Sequence, residues 1–215
     1  MAAVFVDVDG TLIRGSSEKS VLFHLISRGD VGALRLARFL AGYMAHPAAT
    51  LVHGPGWNRT YLRGLDERAA RGMAEGFSRN ALVPRMRPAV VSELAALREG
   101  GTRVILLSAA LEWLVEPLGE SVRASRIIGS RPRSDGGVLT GTLDGQRPFG
   151  EEKLHVVEAV CREEGLSPCD CTAYGDCWAD RHVMDFCGSA VAVNPGRRLA
   201  EMARSRGWRV LEGRR

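Results

Sequence analysis

Val4-Phe5-Val6-Asp7-Val8-Asp9-Gly10-Thr11-Leu12 places two carboxylates at the end of an apolar run. Val, Phe and Val favour a buried strand. Charged side chains in so apolar a run are expensive unless they are paired or hold a metal ion. Gly10 marks a sharp turn, so Asp7 and Asp9 belong where the strand stops. In open α/β sheets that is where ligands bind. The pair reads as a Mg²⁺ site with one carboxylate free to act as a nucleophile. The plainer alternative is a strand ending in an Asp-Gly turn.

Outward from this stretch the chain changes character twice. Residues 3–8 form the first strand, and residues 12 to about 85 read as helical. Val21, Leu22, Leu25 and Ile26 fall at helical spacing, and Gly29-Asp30 breaks that helix. Val31, Leu34, Phe39 and Tyr43 mark a second, amphipathic helix ending near His46-Pro47. Its apolar stripe could touch a membrane surface or an acyl chain, but packing of the insert's own core is the simpler reading. A Gly54-Pro55-Gly56 turn follows, and helical patterns resume through Tyr61 and over 66–77. An α/β rhythm then returns. Helices are predicted over 88–98, 109–120, 151–164 and 196–206. Strands are predicted over 103–108, 126–129, 172–176, 190–193 and 208–211, with a small β-excursion within 131–148. Such alternation indicates a mostly parallel sheet covered on both faces.

The 215 residues suit one large domain or a core with an insert, and 45% hydrophobic residues suffice for a sizeable core. The net charge of +4 is spread along the chain. Lys19 and Lys153 are the only lysines among 29 basic residues, a compositional bias rather than a nucleic-acid patch. Cys161, Cys169, Cys171, Cys177 and Cys187 are odd in number and form no CxxC pair. Reduced thiols in a cytoplasm are expected. The N-terminal residues do not read as a signal peptide, and no apolar run reaches the roughly 18 residues of a transmembrane helix.

Three predicted strands end in polar groups: Asp7 and Asp9, Ser108, and Asp176. Lys153 falls in the first turn of the helix after Gly150, and Asp180 lies four residues beyond Asp176. In a parallel sheet these ends share one edge. Acids, an amine and a hydroxyl converging there suit phosphoryl transfer, in which a carboxylate attacks phosphorus while positive charge meets the equatorial oxygens. Taken singly, Ser108 could be a helix cap, Lys153 a surface lysine and Asp180 a partner of a helix dipole. As an ordered set they read as a site.

The set DxDGT, strand-ending Ser, lone Lys and GDxxxD resembles the four motifs of the haloacid dehalogenase superfamily. The helical insert after the first motif is similar to that of its phosphoserine-phosphatase-like branch. The resemblance implies an α/β fold: a Rossmann-like three-layer core with a mostly parallel sheet (residues 1–13 and 86–215), plus an all-helical cap (14–85) inserted after the first strand. It also implies roles. Asp7 would be the nucleophile that becomes an aspartyl-phosphate, and Asp9 the general acid and base. Mg²⁺ would be held by Asp7, the Asp9 backbone carbonyl and Asp176. Ser108 and Lys153 would meet the phosphoryl oxygens, Asp180 would orient Lys153 or the metal's waters, Gly10 would permit the turn and Thr11 would bond near the phosphate.

Two positions depart from that branch. Ala109-Ala110 stands where phosphoserine phosphatases usually have Gly-Gly close to the substrate, so phosphoserine itself is not implied. Cys177 stands where a Ser is common, and a thiol is a weak donor. Glu18, Arg59 and Arg63 are expected to read polar groups of the substrate, Phe23, Trp57 and Tyr61 to line an apolar pocket, and Ala109 to lie against the substrate. The expected activity is Mg²⁺-dependent hydrolysis of a small phosphomonoester, with neither nucleic acid nor an integral membrane segment involved. The alternatives are a phosphotransferase using the same intermediate and a catalytically silent binding module.

Overall fold

A computed structural model describes residues 2–29, 31–46 and 57–212. The expected Gly54-Pro55-Gly56 turn, Asp30 and Pro47 lie outside them. The apolar run forms strand β1 (Ala3–Val6), which pairs in parallel with β2 (Arg103–Leu111) on one side and β5 (Cys171–Gly175) on the other. The sheet order is β4-β3-β2-β1-β5-β6-β7, with β3 (Arg126–Asp135), β4 (Val138–Asp144), β6 (Ser189–Val193) and β7 (Arg209–Leu211). Only β4 runs antiparallel, as the second arm of a hairpin with β3. The chain builds outward from β1 in one direction through β2 and β3, and in the other through β5, β6 and β7. Such a reversal of strand order opens a crevice at the carboxyl edge.

Alternation along the strands sorts the core into two layers. Val4, Val6, Val104 and Leu106 join one apolar cluster with α4 (Pro88–Glu99) and α5 (Glu112–Val122). Ala3, Phe5, Ile105 and Leu107 join another with α6 (Glu151–Glu164), α7 (Arg181–Phe186) and α8 (Arg197–Arg206). The result is a three-layer α/β/α core. Two expectations shift: β2 runs on through Ser108 to Leu111, so α5 begins at Glu112 rather than Ala109, and the third strand extends from Gly129 to Asp135.

Between β1 and α4 the described residues form α1 (Ser17–Ser27), α2 (Ala33–Ala45), a short 3₁₀ turn (Thr60–Leu62) and α3 (Glu67–Phe77). Ser16 caps α1 and Asp66 caps α3, each accepting from the backbone three residues on. Val21, Leu25, Phe39, Tyr61 and Ala70 belong to the same apolar cluster as Val4 and Val6. The segment is also bonded to the β3–β4 hairpin. Gly64 N donates to Leu139 O at 2.8 Å, Leu139 N to Leu65 O at 2.9 Å, and Glu67 N to Gly137 O at 2.9 Å.

Candidate active site

Asp7 is the first residue past β1, and its backbone N–H still reaches Tyr174 O on β5. The chain then turns tightly, with Gly10 N bonded to Ile13 O and Ile13 N to Val8 O. Gly10 sits at φ +87°, and a Cβ there would fall 2.0 Å from Asp176 Oδ2. The turn therefore admits only glycine, and it does so to let the Asp176 carboxylate approach the backbone.

Lys153 enters from the first turn of α6 and is 5% exposed. Its Nζ donates to Asp7 Oδ1 and to Asp180 Oδ1, both at 2.6 Å. The second oxygen of buried Asp180 accepts from Asp176 N at 3.3 Å and from Cys177 N and Sγ at 3.2 Å. Asp180 thus locks the loop after β5 and aims Lys153. Gly175 makes room for it, since a Cβ there would lie 2.6 Å from the Asp180 Cβ. Ser108 is buried on β2, where the register with β3 shifts between Leu107 and Leu111. Its Oγ accepts from Ala110 N at 3.1 Å.

Asp9 is held differently. Ser17 N and Ser16 Oγ donate to its two oxygens at 3.0 Å each, so it rests on the N-terminus of α1. Burial raises its pKa above the usual range against those bonds. Burial also raises Asp7, against the attraction of Lys153. Burial opposes the Lys153 ammonium, but Asp180 and Asp7 outweigh it and keep the lysine charged. Burial and the nearby Asp180 charge push Asp176 up to about 7.

This donor set fits a hard divalent cation. Asp7, Asp176 and Asp180 are three carboxylates against the single Lys153 ammonium, an arrangement that calls for more positive charge. Asp7 Oδ2 is buried without a hydrogen-bond partner. Ligand atoms of Asp176, Cys177 and Asp180 lie within 4.8 Å of one another. Asp180 is spent on Lys153 and the loop, and burial beside Asp180 raises the Cys177 thiol, which disfavours its thiolate. Asp7 and Asp176 remain as the carboxylates with oxygens to give.

A cavity of about 620 Å³ stands above these groups, with Asp7, Asp9, Ser108, Lys153 and Asp180 among its lining. Leu22, Phe39, Tyr43, Tyr61 and Phe149 line it as well. Glu18 and the almost fully buried Arg59 form an ion pair within it, and Arg59 Nη2 also donates to Ala109 O at 3.3 Å. Burial raises Glu18 against the pull of Arg59.

Several sequence expectations need correction. Trp57 does not line the cavity; it packs edge-on against Tyr43 and His46, at 5.9 and 5.8 Å. Phe23 is 72% exposed, and its neighbour Leu22 takes the lining position. Arg63 lies outside the cavity, in a separate groove with Arg35 and Arg38. Thr11 is not a cavity residue either: its Oγ1 donates to Asp176 Oδ1 at 3.4 Å, so it serves the placement of that acid, as Gly10 does by permitting the turn. Glu18, Arg59 and Ala109 do reach the cavity, as does Tyr61.

Other residues escaped the sequence reading. Arg147 lines the cavity beneath its own loop, 4.7 Å from the Phe149 ring, and burial with Arg59 nearby lowers its pKa to about 10. Asn58 fastens α2 to the 3₁₀ turn, donating to Phe39 O at 2.9 Å and accepting from Thr60 Oγ1 at 2.7 Å. Ser16 and Ser17 hold Asp9. An S-S pair just before a helical pattern was the one signal available for them.

A mostly parallel sheet whose carboxyl edge carries two acids after β1, a serine on β2, a lysine after Gly150 and an acid pair after β5 defines a class of hydrolase. The family model of haloacid dehalogenase-like hydrolases matches residues 4–185, and the chain belongs to that family. Within it the chain is a phosphoserine-phosphatase-like hydrolase. It is 29% identical to phosphoserine phosphatase SerB1 of Mycobacterium tuberculosis, over 99% of this chain and 71% of that one. A protein of unknown function from Bordetella pertussis has the same fold, with a TM-score of 0.80 at 23% identity over 97% of both chains. A phospho-aspartyl intermediate analogue of phosphoserine phosphatase superposes with a TM-score of 0.66 at 15% identity, over 100% of this chain and 94% of that one.

Proposed function

We propose that this hydrolase cleaves small phosphomonoesters through an aspartyl-phosphate on Asp7. The observation that carries the reading is Lys153 bridging Asp7 and Asp180 at 2.6 Å each, beside a buried Asp7 oxygen without a partner. Asp7 attacks phosphorus, the P–O bond to the leaving alcohol breaks, and Asp9 supplies the proton that the alkoxide takes. Asp9 then removes a proton from the water that attacks the acyl-phosphate, which returns Asp7 and releases phosphate. Its raised pKa suits a group that must both give and take a proton.

Lys153 and Ser108 meet the phosphoryl oxygens, and Asp180 acts through Lys153 as a positioning residue. Mg²⁺ would be held by Asp7, Asp176 and the Asp9 carbonyl, and would supply the charge that offsets carboxylates facing an anionic substrate. Residues 14–85 serve as the cap, from which Glu18 and Arg59 face the leaving group, and Arg147 joins them from the loop after β4. Phosphoserine is one substrate to test, as the name of the mycobacterial relative suggests.

Phosphate release should be measured over a phosphomonoester panel with Mg²⁺ present, for the wild type and Asp7→Asn. Turnover that Asp7→Asn abolishes while the variant still unfolds in one cooperative transition supports the reading, because an amide cannot form the acyl-phosphate. Near-normal turnover by that variant would refute it.

A further inference from the structure

Residues 31–65 contain no Asp or Glu and four arginines, Arg35, Arg38, Arg59 and Arg63. Much of this acid-free stretch is α2. Its inward side buries Phe39 and packs Leu36 and Tyr43. At 3.6 residues per turn the opposite side carries Leu34, Ala37, Leu40, Ala41 and Met44. All five are exposed, Leu34 at 66%, Leu40 at 53% and Met44 at 85%. Among the described residues six large apolar side chains are exposed, and four of them, these three and Phe23 at 72%, lie on α1 and α2. The apolar side chains are thus concentrated on one part of the molecule rather than scattered singly.

Among the described residues, the exposed charges of α1 and α2 share one sign. Arg38 is exposed at the margin of the α2 face, and Lys19 is exposed one turn before Phe23 on α1. Glu18, the acid of α1, is paired with Arg59 inside the cavity. We propose that the outward face of α2, together with Phe23, docks onto an anionic lipid bilayer. A helix that is apolar outward and basic at its margins lies in a bilayer interface with its cations among the headgroups. A second copy of this chain is the poorer occupant. A two-fold contact along α2 would bring Arg38 towards its own equivalent, and residues 31–65 hold no acid to offset the repulsion. The inner sides of the same helices supply Leu22, Phe39 and Tyr43 to the cavity, so the docked face backs directly onto the site.

The test is flotation of the full chain with phosphatidylcholine vesicles containing about one quarter phosphatidylglycerol, against phosphatidylcholine alone. Binding to the anionic vesicles alone, weakening with added salt, is expected. Leu34→Glu with Met44→Glu should lower the bound fraction at least about tenfold without moving the unfolding temperature. Arg38→Gln, which keeps every apolar contact, should weaken binding several-fold and flatten its salt dependence. Absence of binding to anionic vesicles, binding that both variants keep, or a wild-type dimer that Leu34→Glu with Met44→Glu turns into a monomer would overturn the proposal.

Discussion

Replacing Asp180 by Asn isolates the device that aims Lys153. One oxygen of Asp180 accepts from the lysine at 2.6 Å, and the other accepts from two backbone N–H groups and a thiol. All of these partners are donors. An amide offers one oxygen and one NH₂, so whichever way it turns, a donor faces donors. A charge-assisted bond contributes about 1.5–3 kcal/mol and a broken buried pair costs about 3–5 kcal/mol. Lys153 keeps Asp7, so the loss belongs near the lower end, about 2–4 kcal/mol, or a fall of about 4–16 °C in unfolding temperature for a chain of this length. The chemistry should suffer separately. With Lys153 no longer fixed, kcat for a small aryl phosphate should drop about 10–100-fold. KM should hold or fall, because the substitution removes a negative charge from a site that binds an anion. Thermal denaturation and steady-state kinetics read both effects. An unfolding temperature within about 2 °C of wild type together with an unchanged kcat would refute the reasoning.

Three further outcomes are expected. Asp9→Asn should slow alkyl phosphates at least about tenfold more than nitrophenyl phosphates, since only a basic alkoxide needs the proton; equal losses would contradict the acid role. Burial and the nearby Asp180 charge push Asp176 up to about 7, above the usual carboxylate range, so the native state holds an extra proton between about pH 4 and 7. Its contribution to stability is then present at low pH and lost as the pH rises through 7. Melting curves without metal should therefore shift down from pH 5 to pH 8, with Mg²⁺ restoring more at pH 8; a flat profile, or a larger Mg²⁺ effect at pH 5, would count against the site. Gly10→Ala meets Asp176 at 2.0 Å and a positive φ, so it should lower apparent Mg²⁺ affinity by at least about tenfold in a metal titration followed by unfolding temperature.

How much could be read before the fold was known depended on range. Asp7, Asp9, Lys153, Asp176 and Asp180 were legible because each stands just past an apolar strand or at the start of a helix, where local pattern and chemistry agree; Ser108 was legible as the hydroxyl closing an apolar run, although β2 continues three residues beyond it. The helix over 151–164 was legible in full, framed by Gly150 and Gly165. What failed needed tertiary knowledge. Trp57 and Tyr61 are four residues apart and both aromatic, and only the packing of the turn against α2 decides that Tyr61 enters the cavity. Phe23 and Leu22 differ by one position, a 100° turn of the helix that the weak pattern of α1 does not fix. Arg147 drew no reading at all, because nothing local says that the loop after β4 reaches the cavity. The stripe of residues 31–46 was read as packing inward, and its inner residues do; its outer apolar residues are a separate face that periodicity alone did not separate.

The three backbone bonds between the insert and the β3–β4 hairpin make the insert mechanically unequal. Residues 60–77 ride on the hairpin and are anchored to the same sheet that carries the acids. The α1–α2 pair hangs from Asp9 at one end and from Asn58 at the other. For anyone recombining relatives of this enzyme, the natural cassette is therefore α1–α2 and not the whole insert. A transplanted cassette would bring its own Leu22, Phe39 and Tyr43 equivalents, while Arg59, Tyr61 and Arg147 would stay with the recipient. Chimeras cut at the sheet would part Arg59 from the hairpin it rests on and from Arg147 on the loop that follows it.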